Sequence, residues 1–411
     1  MDQPGLEPIS SVRPDERVVT LDVIRGFALF GILVMNMPAF SASFYAGWSG
    51  IDLWPGEWNR FALHVRDVLF DGKFNSMFSF LFAVGFTIQL ERLERHGAAE
   101  SIAIYTRRLV ALFAFGIAHA ILLWSGDVLH MYALLGFVLL AMRRWPDRTV
   151  VAVIVLCFAY PAIVAVARVA WHWTPDIAEL IDFARARQAS NDLAYGTGSY
   201  TDVVVENAQE LYHLYTAELV RGQVASFYVM MLATTLLGLL VGRHRLIQRA
   251  AEFRGFLPLL QVLFFVLGIS AGLFFTLKVD ETSPFNPSVL GVLVGMSYAI
   301  ARAATMLFYV VTLVRLLLDR GDESRFNWLA YAGRMPLSNY LLQSVIGTFI
   351  FYGWGLGLWG RIQPVPQLLL ATAIFTCVQI PLSHWWLTRH TYGPMEYLWR
   401  TLTYGRVPRS S

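Results

Sequence analysis

The sequence predicts an all-α, polytopic integral membrane protein, with about ten transmembrane helices arranged as two five-helix bundles. Composition is the first observation behind this. Charged residues are 15% of the 411-residue chain and hydrophobic ones 56%, against roughly 25% and 45–50% in soluble domains. The second is a series of ten apolar runs approaching the ~20 residues that carry a helix across a bilayer. The third is arginine placement, which alternates from loop to loop as the positive-inside rule requires.

The runs are 18–40, 74–90, 106–124, 128–142, 149–170, 224–242, 256–277, 289–317, 328–352 and 366–388. A polar 17-residue leader precedes the first, and a signal core would not normally carry Asp22 and Arg25. The expectation is therefore that this span stays as an anchor. Arg13 and Arg17 precede it; Arg92, Arg95, Arg107 and Arg108 lie around the second loop. Arg143, Arg144 and Arg148 follow the fourth span, Arg243, Arg245, Arg249 and Arg254 the sixth, and Arg320 and Arg325 the eighth. Arg389, Arg400, Arg406 and Arg409 follow the tenth. This pattern puts both termini on the cytoplasmic side.

One long segment, 171–222, falls on the opposite side. It divides the chain into an N-terminal bundle (1–170), an extracytoplasmic loop with amphipathic helices, and a C-terminal bundle (223–411) with a cytoplasmic tail. Val204, Ala208, Leu211, Tyr215 and Leu219 form an apolar stripe suited to the membrane surface, and "NDLAYGTGSY" reads as a flexible break before it. Net charge is only +3 with scattered basic residues, so no nucleic-acid patch is expected. Cys157 and Cys377 both lie in apolar runs, which supports neither a disulfide framework nor a metal site.

Polar residues inside the spans are the functional candidates, because a charge in hydrocarbon is costly unless paired or wet. In "RVVTLDVIRGFALFGILVMNMPAF", Asp22, Arg25 and Asn36 fall within about 60° on one helix face. They form either a structural ion pair with a polar neighbour or a stripe lining a cavity, with Arg25 offered to an anionic ligand. The third and fourth spans join through "WSGDVLH", where Asp127 and His130 could approach His119, and Gly116 leaves room one turn before it. A buried His beside a carboxylate is what general-base catalysis needs. Lys73, in "HVRDVLFDGKF", is one of two lysines; it is a candidate for chemistry, a solvated interfacial loop being the plain alternative. Arg302 falls mid-span in the eighth run and needs a partner or a wet cavity. In "GRMPLSNYLLQS", Asn339 and Gln343 share a face, with Arg334 near the cytoplasmic end. His384 is a lone span histidine, read as structural. "GISAG" matches a nucleophile-elbow pattern but lacks the strand-turn-helix context.

These stretches resemble a known family. Arg17-x-x-x-Leu21-Asp22-x-x-Arg25-Gly26-x-Ala28-Leu29-x-Gly31-Ile32 through Asn36, with "GKFNSMFSFLFAVGF", "GDVLHMYALLG", "GRMPLSNYLLQS", "FYGWGLGLWG" and "GPMEYLWRTLTYG", is similar to the YeiB-like bacterial membrane proteins, the domain of unknown function 418. That family in turn resembles a branch of the transmembrane acyltransferase superfamily, chiefly in the Asp-x-x-Arg-Gly stretch. The resemblance implies a protein of the bacterial inner membrane that takes an acyl group from cytoplasmic acyl-CoA, acetyl-CoA being the expected donor. The acceptor would be an extracytoplasmic glycan, lipid or small metabolite. It implies donor-side roles for Asp22 and Arg25 and places Asn36 at the reacting end; on this reading of the spans, Arg302 or Arg334 joins Arg25 at the donor's phosphates. The superfamily's first-span His is replaced by Asn36, and 37–63 hold no His, so the base falls to His119 or to His64. His130, Lys73, Asn339 and Gln343 are the substrate-side candidates. Partners are membrane lipids, the acyl donor and the acceptor, with a homodimer left open. A small-solute transporter, or a non-catalytic sensor on the same scaffold, are the rival readings.

Overall fold

The computed structural model describes residues 19–49, 51–94, 98–171, 176–218, 225–282, 288–320 and 326–405. Arg13, Arg17, Arg95, Arg325, Arg406, Arg409 and Leu219 lie outside them. Among the described residues the chain is helical and carries no strand. The helices are α1 (Val19–Ser41), α2 (Ala46–Ser49), α3 (Glu57–Leu69), α4 (Lys73–Glu94), α5 (Ala98–Leu122) and α6 (Leu129–Met142). They continue as α7 (Asp147–Ala170), α8 (Ile177–Gly196), α9 (Tyr200–His213), α10 (Ala225–Arg243), α11 (Leu257–Lys278) and α12 (Val289–Arg320). The last described helices are α13 (Asn327–Arg334), α14 (Pro336–Phe351), α15 (Pro364–Ala373), α16 (Ile380–Leu387) and α17 (Pro394–Tyr404).

Each expected apolar run coincides with a helix or a helix pair. Among the described residues seven segments are long and apolar enough to span: α1, Glu100–Leu122, α7, α10, Leu257–Glu281, Val289–Asp319 and Pro364–Leu387. The other three depart for local reasons. α6 has 14 residues, and α4 carries Lys73, Asn75, Ser76 and Ser79 in its first two turns. The ninth run breaks into α13 and α14 at Met335, because Pro336 disfavours the helical conformation of the residue before it. A short π-helical stretch, Ile374–Gln379, joins α15 to α16.

The division of the chain at 171–222 does not divide the packing. α1 lies against α13, α14 and α15 from the far end of the sequence, and against α4. α10 packs on α4 and α7, while α11 pairs with α12. Burial separates core from rim. α1 has 67% of its apolar window buried, α7 only 11% and the α11 segment 17%, so α7 and α11 face the lipid. α1 and α13 cross closely. A side-chain carbon added at Gly333 would sit 1.8 Å from the Asp22 carbonyl, and one at Gly26 would sit 2.0 Å from that of Leu329.

The basic loops gather at one end of the bundle. Arg243 bonds Asp147 at 2.9 Å and the carbonyls of Met142 and Arg143, closing the end of α6, and Arg254 meets Asp319 at 2.8 Å. α17 folds back here onto α5. Its Glu396 accepts from the backbone N–H of Leu337 (2.7 Å) and Ser338 (3.1 Å), supplying a negative charge at the start of α14. Burial pushes the Glu396 carboxyl up, against the hydrogen bonds from Ser338 and the backbone. Glu396→Ala is expected to destabilise the protein by about 2–3 kcal/mol through the orphaned amides, read as a lower thermal midpoint in detergent with secondary structure retained.

α8 and α9 cover the opposite end. The stripe expected to lie on a membrane does not form their contact: Ala208 is exposed and Val204 half-buried, whereas Val203, Glu206 and Asn207 are buried. The reason is α8. Arg187 reaches Glu206 and Glu210 at 2.6 Å each, and the Asn191 amide donates to both carboxylates. Asn191–Gly196, expected in a flexible break, is therefore the last turn of α8. Asn207 donates to the Ile121 carbonyl and Tyr200 to that of Leu122, fastening this cap over the end of α5.

Candidate functional site

The cap sits over a buried polar cluster at the α5–α6 hairpin. α5 supplies His119 in its last turn, and the turn to α6 supplies Asp127. His130 enters on the first turn of α6, where its backbone lies so near Gly116 that a side-chain carbon there would be 2.2 Å from the His130 nitrogen. His119 is 3% exposed, Asp127 1% and His130 0%. His119 Nδ1 meets Asp127 Oδ1 at 2.7 Å, and His130 Nδ1 meets Asp127 Oδ2 at 2.6 Å. The His130 backbone N–H also donates to Oδ2, at 3.0 Å. Burial raises the Asp127 carboxyl, but the hydrogen bonds from the two imidazoles outweigh it and hold the group below its usual range.

An ionised carboxylate accepts only, so both Nδ1 atoms carry protons, and in the neutral imidazole each Nε2 is then the acceptor. His119 Nε2 receives the Ser344 hydroxyl from α14 at 2.8 Å. His130 Nε2 is buried with no hydrogen-bond partner among the described residues, beside the Tyr215 ring at 5.9 Å between centroids. Ser344, His119 and Asp127 thus form a hydroxyl–imidazole–carboxylate relay, which can deprotonate a hydroxyl and stabilise the resulting imidazolium. Tyr340 packs against the His119 ring at 5.2 Å, and its own hydroxyl accepts from the Val128 N–H.

The other candidates fall in three places. Asp22 and Arg25 pair at 3.0 Å at the arginine-rich end, with Asp22 buried and Arg25 27% exposed. The Arg108 guanidinium lies within electrostatic reach of those of Arg400 and Arg25 and stacks 3.5 Å over Trp399. Arg334 follows the glycine pressed against Asp22, at the same end. Gln343, next to Ser344, donates to the Leu29 carbonyl at 3.0 Å. That level of α1 is seven residues from Asp22, about 10 Å along the axis, so the pair and the relay occupy different depths.

Asn36 is half-buried, makes no hydrogen bond among the described residues, and is not part of the relay. Asn339 and Gln343 are used as helix-to-helix polar contacts. Asn339 donates to Ser383 at 2.9 Å and to the Ala332 carbonyl, while Gln343 donates to Gln379 at 3.0 Å. Lys73, at the start of α4, and Arg302, reaching from α12 to the turn between α3 and α4, lie within electrostatic reach of each other and are not part of the relay. Lys73 is 1% exposed, so its segment is no solvated loop; α3 leads it into the interior. His64 is exposed on α3, and His384 is exposed against Tyr331. Ser344 gave no signal in the sequence: a lone serine in an apolar helix fits helix packing equally well.

Residues 241–406 match the family described as "Protein of unknown function (DUF418)". Over 420 aligned residues the chain is 32% identical to the uncharacterized protein YxaH of Bacillus subtilis (strain 168), covering 96% of this chain and 97% of the relative. It is 25% identical to an uncharacterized 39.9 kDa protein from the amylase 3' region of Bacillus acidopullulyticus, with 95% of each chain covered. To the uncharacterized protein YeiB of Escherichia coli (strain K12) it is 26% identical, over 94% of this chain and 96% of the relative. No solved structure matches.

Proposed function

The chain belongs to the YeiB-like DUF418 family, and from that premise we propose that it is a membrane-embedded acyltransferase of the bacterial inner membrane. The reading puts the arginine-rich end in the cytoplasm, in keeping with the positive-inside rule, and the α8–α9 cap on the far side. The observation that carries it is the relay: a hydroxyl 2.8 Å from a buried imidazole whose other nitrogen is 2.7 Å from a carboxylate. Acyl transfer needs a base for the attacking hydroxyl or amine and a group to steady that base once protonated, and His119 and Asp127 are placed for those roles. His130 Nε2, an acceptor with no donor, is suited to orient an acceptor's hydroxyl or ammonium.

The donor is acyl-CoA. Its phosphates call for several guanidinium groups, and Arg25, Arg108, Arg334 and Arg400 share the end of the bundle from which it would enter. Asp22 fixes Arg25 in position. The acceptor comes from the capped side, as a glycan, lipid or small metabolite.

Purified protein in nanodiscs with labelled acetyl-CoA tests this. His119→Ala is expected to lower hydrolysis or transfer by on the order of 10²–10⁴-fold, with His384→Ala unchanged. Absence of any acyl-CoA binding by the folded protein would remove the proposal, and solute accumulation in proteoliposomes without a donor would favour a transporter.

A further inference from the structure

A second buried cluster has a charge and a geometry that the relay does not use. α3 ends at Leu69 and α4 begins at Lys73, so the chain reverses inside the bundle through Phe70–Gly72. α12 holds that turn. Tyr309 Oη donates to the Leu69 carbonyl at 2.9 Å, and Arg302 Nε donates to the Gly72 carbonyl at 3.2 Å. Gly72 has φ +71°, and a side-chain carbon there would be 2.6 Å from Arg302 Nε. Glycine is what lets the arginine lie across the turn.

Around it stand Arg66, Asp67, Asp71 and Lys73. Arg66 bonds Asp67 at 2.9 Å, Tyr298 Oη donates to Asp71 at 3.2 Å, and the Lys73 ammonium donates to the Asp67 carbonyl. Both carboxylates therefore have donors. Arg302 is 1% exposed, and its two terminal nitrogens are buried without a hydrogen-bond partner among the described residues. The rings of Phe227 and Tyr298 stand 5.2 and 5.4 Å from the guanidinium carbon. Three cations face two carboxylates, leaving one positive charge in excess; Arg66, Asp67 and Asp71 are only partly buried, so the charge that calls for a counter-ion is that of the buried Arg302.

The geometry points to a binding site for the carboxylate of a small organic monoanion, its two oxygens accepting from the two free nitrogens of Arg302. The guanidinium edge matches a planar carboxylate with two parallel hydrogen bonds. The two rings border the same group, and Lys73 adds a second positive charge. A single negative charge balances the cluster, where a phosphate dianion would overshoot and a spherical halide would not engage both nitrogens. The site is separate from the relay. Tyr132, 5% exposed, stands between them, within electrostatic reach of both Asp127 and Arg302, and donates to the Asn75 carbonyl. Binding there does not depend on acyl transfer.

Thermal unfolding of the protein in nanodiscs, titrated with sodium acetate at constant ionic strength, tests the site. Acetate is expected to raise the midpoint saturably, and acetamide, which has the same shape without the charge, is expected not to. Arg302→Met should weaken acetate at least tenfold and Lys73→Met severalfold, while Arg249→Met on the surface leaves it unchanged. An equal response to acetamide, no saturable shift, or an undiminished shift in Arg302→Met overturns the proposal. So does a larger shift with phosphate or chloride. If Arg302→Met does not fold, acetate against acetamide on the native chain and the Lys73→Met titration decide it.

Discussion

Asp127→Asn is expected to cut acyl transfer by on the order of a thousandfold or more while leaving the protein able to bind acyl-CoA. The carboxylate accepts from two imidazoles and one backbone amide. Asparagine keeps the shape but offers one acceptor oxygen and turns the other position into a donor. One imidazole must then reverse its proton assignment. If it is His119, its Nε2 becomes protonated and can no longer take a proton from a hydroxyl. Single-turnover kinetics with labelled acetyl-CoA, alongside nitrogen-15 spectra of the two histidines, read both effects together. Asp127→Ala goes further, leaving three buried donors and a cavity, and is expected to destabilise the fold by about 3–5 kcal/mol. A variant with normal turnover and an unchanged His119 tautomer would show that the relay plays no part in chemistry.

The second large effect is structural. Gly333→Ala places a methyl group where α1 already lies, 1.8 Å from the Asp22 carbonyl and 2.7 Å from the Gly26 nitrogen. Both are backbone atoms, so no side-chain rotation relieves the clash and one helix must move. Overpacking of this kind costs about 1–3 kcal/mol where side chains can give way, and more where they cannot; a loss of about 3 kcal/mol or more is expected. The measurement is the thermal midpoint in detergent, with Gly47→Ala as a control, since nothing lies within 4 Å of that position. A Gly333→Ala midpoint equal to that of the control would mean that α1 and α13 do not cross as described.

The spans were legible because bilayer crossing is written in local composition, one helix at a time. Pairing was not. Periodicity places Asp22, Arg25 and Asn36 on one face, but it does not report what lies opposite at each depth. Arg25 is at the arginine-rich end, while Asn36 is several turns away and apart from the relay. His119 and Asp127 were legible because the hairpin keeps them near in sequence. Ser344, 225 residues from His119, could only be found in three dimensions. Lys73 and Arg302 each stood out as unusual, yet their meeting depends on α3 turning back inside the bundle. The contact between α8 and α9 is not legible in the sequence, because it is made by two glutamates satisfied by Arg187 and Asn191 and not by the apolar stripe beside them.

The interlacing of α1 with α13, α14 and α15 has a consequence for biogenesis. α1 leaves the ribosome and finds its main neighbours only after some three hundred further residues have been made. Until then it resides in lipid without them. The Asp22–Arg25 pair, three residues apart on that same helix, lets it carry its own neutralisation during the interval. Insertion of the opening segment is thereby uncoupled from completion of the bundle that finally encloses it.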